Sequence, residues 1–318
     1  MVKLFGLGLV LCTASGWVLG LAAPDDSAGQ DAEPRVSITP RKLDTRSAEL
    51  DGRLRIDVKL VEVPVTVTDA LDRPITSLTK ESFRVLEDGI EQKITSLTRE
   101  EGPISLGLLF DTSGSMKGRM DASINALKLL FSTAGTGDEY FMIQFSDEVR
   151  LLGGGFTPEP DSIYGLLGNL QPKGWTALLD AIALGTNQMK SAKNRRKVLL
   201  ILSDGNDNYS RFSESEVKSM VVESDVRVYA IGITYRPRLL KQLAEQTGGS
   251  ALVARNMAEL PDVVQHLSEE IRSHYVLGYR STNNQNDGKY RKVKVELVQP
   301  QGTPSLRASW RHGYYAPE

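Results

Sequence analysis

Residues 104–115 read Ile104-Ser105-Leu106-Gly107-Leu108-Leu109-Phe110-Asp111-Thr112-Ser113-Gly114-Ser115. An apolar run, broken only by Ser105, stops at a carboxylate followed by hydroxyls. A short run without polar alternation marks a strand buried on both faces, as in the middle of a parallel sheet. The polar residues then fall at the carboxyl end of that strand. Open parallel sheets bind ligands there, where the strand order reverses.

Downstream, strand and helix patterns alternate. Residues 120–131 carry Ile124, Leu127, Leu130 and Phe131 at helical spacing, and 140–145 read as a strand. Residues 149–152 follow a tight Ser146-Asp147 turn and so predict an antiparallel strand. Helices are expected over 177–189, 214–222, 238–246 and 257–272, with strands over 198–202, 226–233 and 251–254. This order predicts an α/β, doubly wound, mostly parallel six-stranded sheet, Rossmann-like, with one antiparallel edge strand and helices on both faces.

The flanks read differently. Ile56, Val58, Leu60, Val63, Val65 and Val67 alternate with period two, as in β-strands. Further strands are expected around Phe83, Val85 and Glu87, over 94–97, 275–279 and 290–298, and in a last segment over 306–314. Short strands with turns at Asp88-Gly89 and Asn286-Asp287-Gly288 predict a smaller β-sandwich. Its halves, 51–101 and 274–318, would make it discontinuous, with the α/β domain of 102–273 inserted between them.

The chain's 318 residues, 40% hydrophobic and 25% charged, are of ordinary globular composition, and a net charge of -2 gives no reason to expect nucleic acid or an anionic membrane as partner. Lys3 precedes an apolar run from Leu4 to Ala23 that closes on Gly20, Ala22 and Ala23. Residues 1–23 read as a signal peptide, and any membrane attachment would run through this segment if it stays uncleaved. Residues 24–50, polar and holding Pro24, Pro34 and Pro40, read as a flexible linker. Cys12, the only cysteine, lies in the apolar run, so the remainder has no disulfide or thiolate chemistry. Export without disulfides fits a periplasm, cell surface or secreted destination.

Three polar groups fall at strand ends or helix starts: Asp111 with Ser113 and Ser115, then Thr176, then Asp204. Two carboxylates and three hydroxyls suit a hard cation, which takes about six oxygen ligands and keeps some waters. The set carries only two negative charges, so a bound Mg²⁺ would still attract a carboxylate from a protein partner. Mn²⁺ and Ca²⁺ are alternatives. Zinc and copper are disfavoured, since His266, His274 and His312 lie far downstream. Gly114 and Gly205 shape the loops, and Asp180, one helical turn after Thr176, is a candidate for orienting site oxygens from behind. Asp180 reads equally well as a carboxylate favoured by a helix N-terminus. Asp147, Asp207 and the Arg195-Arg196-Lys197 run read as solvated loop residues.

Asp111-Thr112-Ser113-Gly114-Ser115, Thr176 and Asp204 together resemble the metal-ion-dependent adhesion motif of the von Willebrand factor type A family. The resemblance covers about 104–273. It implies that Ser113, Ser115 and sometimes Thr176 ligate directly, and that Asp111 and Asp204 do so directly or through water. It also implies a binding module rather than an enzyme, and, as in adhesion receptors, a last helix that shifts on ligand binding. Trp175 departs from it, since many relatives carry a small residue there. Val63 to Asp69, Phe83 to Gly89, His274 to Tyr279 and Gly313 to Pro317 further resemble an exported, acidobacterial-type group within that family.

Two other readings stand beside adhesion. A metal-dependent hydrolase would use the same cation, though no G-x-S-x-G elbow or G-K-[ST] phosphate loop is present. An assembly component would use the ion only to hold loops together.

Overall fold

The computed structural model describes residues 60–235, 237–298 and 305–318. The expected signal segment, the linker and the first part of the flanking β region lie outside the described residues. Four strands come first: β1 (Leu60–Thr68), β2 (Phe83–Glu87), β3 (Ile90–Gln92) and β4 (Ile94–Glu100). The alternating region runs β5 (Ile104–Asp111), α1 (Met120–Ser132), β6 (Glu139–Phe145), β7 (Val149–Thr157), α2 (Pro160–Leu167), α3 (Leu178–Gln188), β8 (Arg196–Ser203), α4 (Glu214–Glu223), β9 (Val226–Ile233), α5 (Arg238–Thr247), β10 (Ala251–Ala254) and α6 (Leu260–Arg272). It closes on β11 (His274–Arg280), β12 (Tyr290–Leu297), β13 (Arg307–Trp310) and β14 (Gly313–Tyr315).

The alternating region forms one six-stranded sheet in the order β10-β9-β8-β5-β6-β7, parallel except for β7. All eight residues of β5 are buried. Strand geometry sends alternate side chains to opposite faces, and two cores result. Leu106, Leu108 and Phe110 join Val198, Leu200 and Leu202 under α1, α2 and α6. Leu109, Leu199 and Ile201 meet α3, α4 and α5. Each fully buried aliphatic side chain stabilises this arrangement by ~1.5–3 kcal/mol relative to exposure.

Helix α2 was not foreseen from the pattern. Its signals are a Pro near the helix start and buried Ile163 and Leu167 one turn apart. The edge strand β7 also runs further than expected. It passes through Gly153, Gly154 and Gly155, all at positive φ, and its pairing with β6 shifts register between Tyr140 and Met142. An edge strand tolerates such a bulge because one side has no ladder to interrupt.

The flanking strands form two antiparallel sheets, β13-β1-β11-β4 and β14-β12-β2-β3. Val61, Val63, Val65 and Val67 pack in one core with Phe83, Val85, Tyr275, Leu277, Tyr279, Val293 and Val295. The last segment is two strands rather than one, β13 in one sheet and β14 in the other. Glu87, buried, accepts hydrogen bonds from Tyr279 (2.6 Å), Tyr314 (2.9 Å) and Ser281. Among the described residues, no helix is long and apolar enough to cross a membrane.

The chain crosses between the β region and the alternating region twice, before β5 and after α6. Arg196 holds both crossings. It donates to the Gly102 carbonyl and to the Ile271 carbonyl (2.6 Å), and contacts His274 Nδ1 (3.1 Å). Arg196 is thus buried, not part of a solvated turn. Burial, together with Arg227 and Arg196, pushes His274 down to about 2. The neutral ring accepts from Arg196 and donates from Nε2 to Glu100 (2.9 Å), so that contact is a hydrogen bond rather than an ion pair.

Glu270 in α6 is buried, with Ser250 Oγ donating to it at 2.6 Å. Burial pushes its carboxyl up to about 7 from 4.5, against the bond from Ser250. Below the unfolded value both states hold the proton and stability is undiminished. Between 4.5 and about 7 only the folded chain holds it, so stability falls as pH rises through that window. Glu270→Gln removes this loss. Denaturant unfolding should find the variant more stable than the native chain near pH 8, by at most about 3 kcal/mol, and nearly equal near pH 4. A difference independent of pH would refute the assignment.

Candidate cation site at the sheet switch point

Strand order reverses between β5 and β8, and both strands end in carboxylates: Asp111 closes β5 and Asp204 follows β8. Asp111 is fully buried. Its Oδ1 accepts from Ser113 N (2.8 Å) and its Oδ2 from Ser203 Oγ (2.6 Å). Burial raises its pKa. The Ser203 and Ser113 bonds oppose that shift, and the charge of Asp204 adds to it. Ser115 Oγ donates to Asp204 Oδ1 (2.7 Å) and lies 3.0 Å from Ser113 Oγ. Thr176 Oγ1 sits against Gly205, 4.0 Å from where a Cβ there would be. The structure thus brings Asp111, Ser113, Ser115 and Asp204 into one bonded cluster, with Thr176 beside Gly205.

Backbone bonds lock the loops that carry these residues. Thr112 N donates to Phe145 O (2.8 Å), Gly114 N to Gly174 O (3.0 Å), Lys173 N to Thr112 O (2.8 Å) and Ala177 N to Ser146 O (2.7 Å). Thr176 N donates to Asn208 Oδ1 (2.8 Å), and Asn208 N returns a bond to Thr176 O (3.0 Å). Gly114 is not at positive φ, so its role is not a left-handed turn. A Cβ there would meet the Gly174 carbonyl at 3.4 Å, an ordinary contact, so no close approach demands glycine either. Gly174 itself has φ +72°, and a Cβ there would lie 2.4 Å from Asp147 Oδ1. Asp147 therefore packs on the loop that precedes Thr176.

Asp180 and Asp207 also brace loops. Asp180 Oδ1 accepts from the backbone of Arg211 (2.8 Å) and Phe212 (3.1 Å). Asp207 Oδ1 accepts from Leu179 N (3.1 Å) and Ser210 Oγ. Asp180 acts on the loop after β8 rather than on the oxygens of the cluster. Sequence reading passed over Arg119 and Ser203. Arg119 pairs with Asp204, whose side chain is fully buried. Ser203 precedes Asp204 and reads as plain strand, while Arg119 lies past the motif in a helix approach.

Among the described residues, no three of His, Cys, Asp and Glu converge on one point. That matches a site of two carboxylates completed by hydroxyls. Two interacting carboxylates at a buried strand end need a counter-charge, and the side-chain donors bonded to them are hydroxyls apart from Arg119. This donor set fits a hard divalent cation and not a thiolate- or imidazole-seeking one.

A sequence model described as the von Willebrand factor type A domain matches residues 106–206. No curated protein sequence matches significantly. Solved structures of related fold include a von Willebrand factor type A protein from Catenulispora acidiphila, 13% identical, with TM-score 0.50 over 83% of this chain and 75% of that one. The PilB minor pilin from Streptococcus sanguinis is 17% identical, with TM-score 0.44 over 54% of this chain and 62% of the pilin. Proximal thread matrix protein 1 from the mussel byssus, with a zinc-occupied MIDAS motif, is 16% identical, with TM-score 0.47 over 58% of this chain and 49% of that protein. This chain therefore spans less than two thirds of the pilin and of the byssus protein.

Arg119 occupies Asp204 and would compete with a cation placed there. Arg119→Gln keeps a polar side chain and removes the charge. By isothermal titration the variant should bind Mg²⁺ about fivefold more tightly, ~1 kcal/mol, and its Tm without metal should fall. An unchanged Mg²⁺ affinity would rule the competition out.

Proposed function

We propose that this protein, which carries a von Willebrand factor type A domain, is a metal-ion-dependent adhesion or assembly module of the cell envelope that grips a carboxylate on a protein partner. One observation carries the reading. Asp111, Ser113, Ser115 and Asp204, from two separated segments, share a hydrogen-bonded cluster at the sheet's switch point. Ser113, Ser115 and Thr176 would hold the ion with their hydroxyls. Asp111 and Asp204 would balance its charge. A bound Mg²⁺ would supply an electrophilic position open to an external Asp or Glu. Gly114 and Ser115 are exposed, so that position faces solvent.

The loops around the cluster already hold one another by backbone bonds. Those bonds favour partner binding over a purely stabilising role for the ion. Hydrolysis would need a base at the cluster. His274 is engaged by Arg196 and Glu100 at the opposite ends of the strands. Export is part of the proposal and rests on the apolar N-terminal run.

Isothermal titration should detect Mg²⁺ or Mn²⁺ binding at millimolar metal or below, and Asp111→Ala should abolish it. Immobilised chain should retain envelope proteins with Mg²⁺ and release them with EDTA. Absence of metal binding in the native chain sinks the proposal. Mg²⁺-dependent turnover of phosphate or carboxylate esters would replace it with an enzymatic one.

A further inference from the structure

Five large aromatic side chains are exposed among the described residues: Trp175, Tyr209, Phe212, Tyr235 and Tyr315. The first four lie on loops at the carboxyl ends of the parallel strands or before α3, the end that holds the cation cluster. Trp175 is 62% exposed, Tyr209 53% and Phe212 41%. Such rings cost solubility when left in water, and their concentration on loops at one end of the sheet fits a contact surface better than scattered surface apolarity.

Three of them are held on a rigid frame. The reciprocal bonds between Thr176 and Asn208 pin the residue after Trp175 to the residue before Tyr209. The carboxylate of Asp180 fixes the backbone of Phe212. The backbone that carries these rings is therefore tied to the loops bearing Thr176 and Asp180, with little freedom to lose on binding. The exposed charges on the neighbouring loops are mixed, Lys117, Lys173 and Arg211 against Asp147 and Glu148. A run of extra acidic residues on a partner would gain little from them, whereas apolar side chains would gain the rings. Trp and Tyr are the residue types that most often dominate binding energy at interfaces.

We infer that the partner presents its coordinating Asp or Glu within an apolar or aromatic segment that lies across Trp175, Tyr209 and Phe212. The inference rests on the reading of an external carboxylate at the cation. Three synthetic peptides of equal length test both, differing only in a central Leu-Asp-Phe, Gly-Asp-Gly or Leu-Asn-Phe. Their binding to the Mg²⁺-loaded chain is read by titration and by the emission of Trp175, taken as the difference from Trp175→Ala. The Leu-Asp-Phe peptide should bind about tenfold more tightly than Gly-Asp-Gly. The double variant Trp175→Ala, Tyr209→Ala should lose that advantage, while its Mg²⁺ titration reports whether the cation cluster survives. Equal, Mg²⁺-dependent binding of the two Asp peptides overturns the aromatic inference and leaves the carboxylate reading in place. Leu-Asn-Phe binding as well as Leu-Asp-Phe, or binding that persists in EDTA, overturns the carboxylate reading. Failure of all three at millimolar peptide overturns both.

Discussion

Two carboxylates, Asp111 and Asp204, end neighbouring strands of an apolar sheet, and their shared negative charge has to be offset. Burial strips water from both, so each destabilises the other far more than at a surface. The structure answers with hydroxyls from Ser113, Ser115 and Ser203 and with one guanidinium, from Arg119. The hydroxyls orient but carry no charge. Arg119 neutralises one carboxylate and is itself about a third exposed. Among the described residues Asp111 is met by neutral donors, the Ser113 N–H and the Ser203 hydroxyl.

The opposite end of the sheet solves a different problem. The α/β region interrupts a β-sandwich, so the chain must enter and leave at one place. Strands β5 and β8 begin there and end about 25 Å away at the carboxylates, given ~3.3 Å per residue. Arg196, at the start of β8, ties the incoming Gly102 to the outgoing Ile271, and His274 and Glu100 complete the clamp. In the sandwich, Glu87 gathers Tyr279, Ser281 and Tyr314. These residues come from separate stretches of the chain, so one buried carboxylate ties β2, the end of β11 and β14 together. The carboxylate cluster thus lies at one end of the sheet and the chain crossings at the other.

The sheet was legible in the sequence because burial on both faces leaves an unbroken apolar run, as at Leu106 to Phe110. The six strands and five of the six helices follow from that rule and from helical spacing. Helix α2 escaped because it is one short amphipathic segment beginning at a proline after a glycine-rich strand. Four residues of the bonded cluster were legible too, since Asp111, Ser113, Ser115 and Asp204 fall at strand ends, whereas Thr176 lies beside Gly205 without a bond to them. What the chain does with Asp180 was not. Its target is backbone N–H of Arg211 and Phe212, and no residue pattern encodes which loop a carboxylate will meet. Arg119 was hidden for a related reason: a guanidinium reaches its partner through a long side chain, so sequence position says little about where its charge ends up. Arg196 sits in a basic run that looks solvated. Its burial follows from the chain crossing it clamps, a tertiary fact.

The last helix deserves the same physical test, because the family resemblance implies that it can shift. At the C-terminal end of α6, Arg272 pairs with Asp138 (2.7 Å), whose side chain is almost fully buried. Burial opposes the charged form of Asp138, but Arg272 and the N–H groups of Ile104 and Gly135 prevail and hold its carboxyl below the ordinary range. Glu270 is bonded to Ser250, and the Ile271 carbonyl is held by Arg196. Only Ser273 separates the helix from β11. Sliding α6 along its axis would break all three attachments and drag β11 with it. Breaking a buried ion pair alone costs about 3–5 kcal/mol, close to the ~5.5 kcal/mol of differential affinity needed to invert a two-state population. A single coordinated carboxylate would have to supply that difference between the two states, with the other attachments still to be broken. The base of α6 is therefore fixed by three attachments that any shift of the helix along its axis would have to break together.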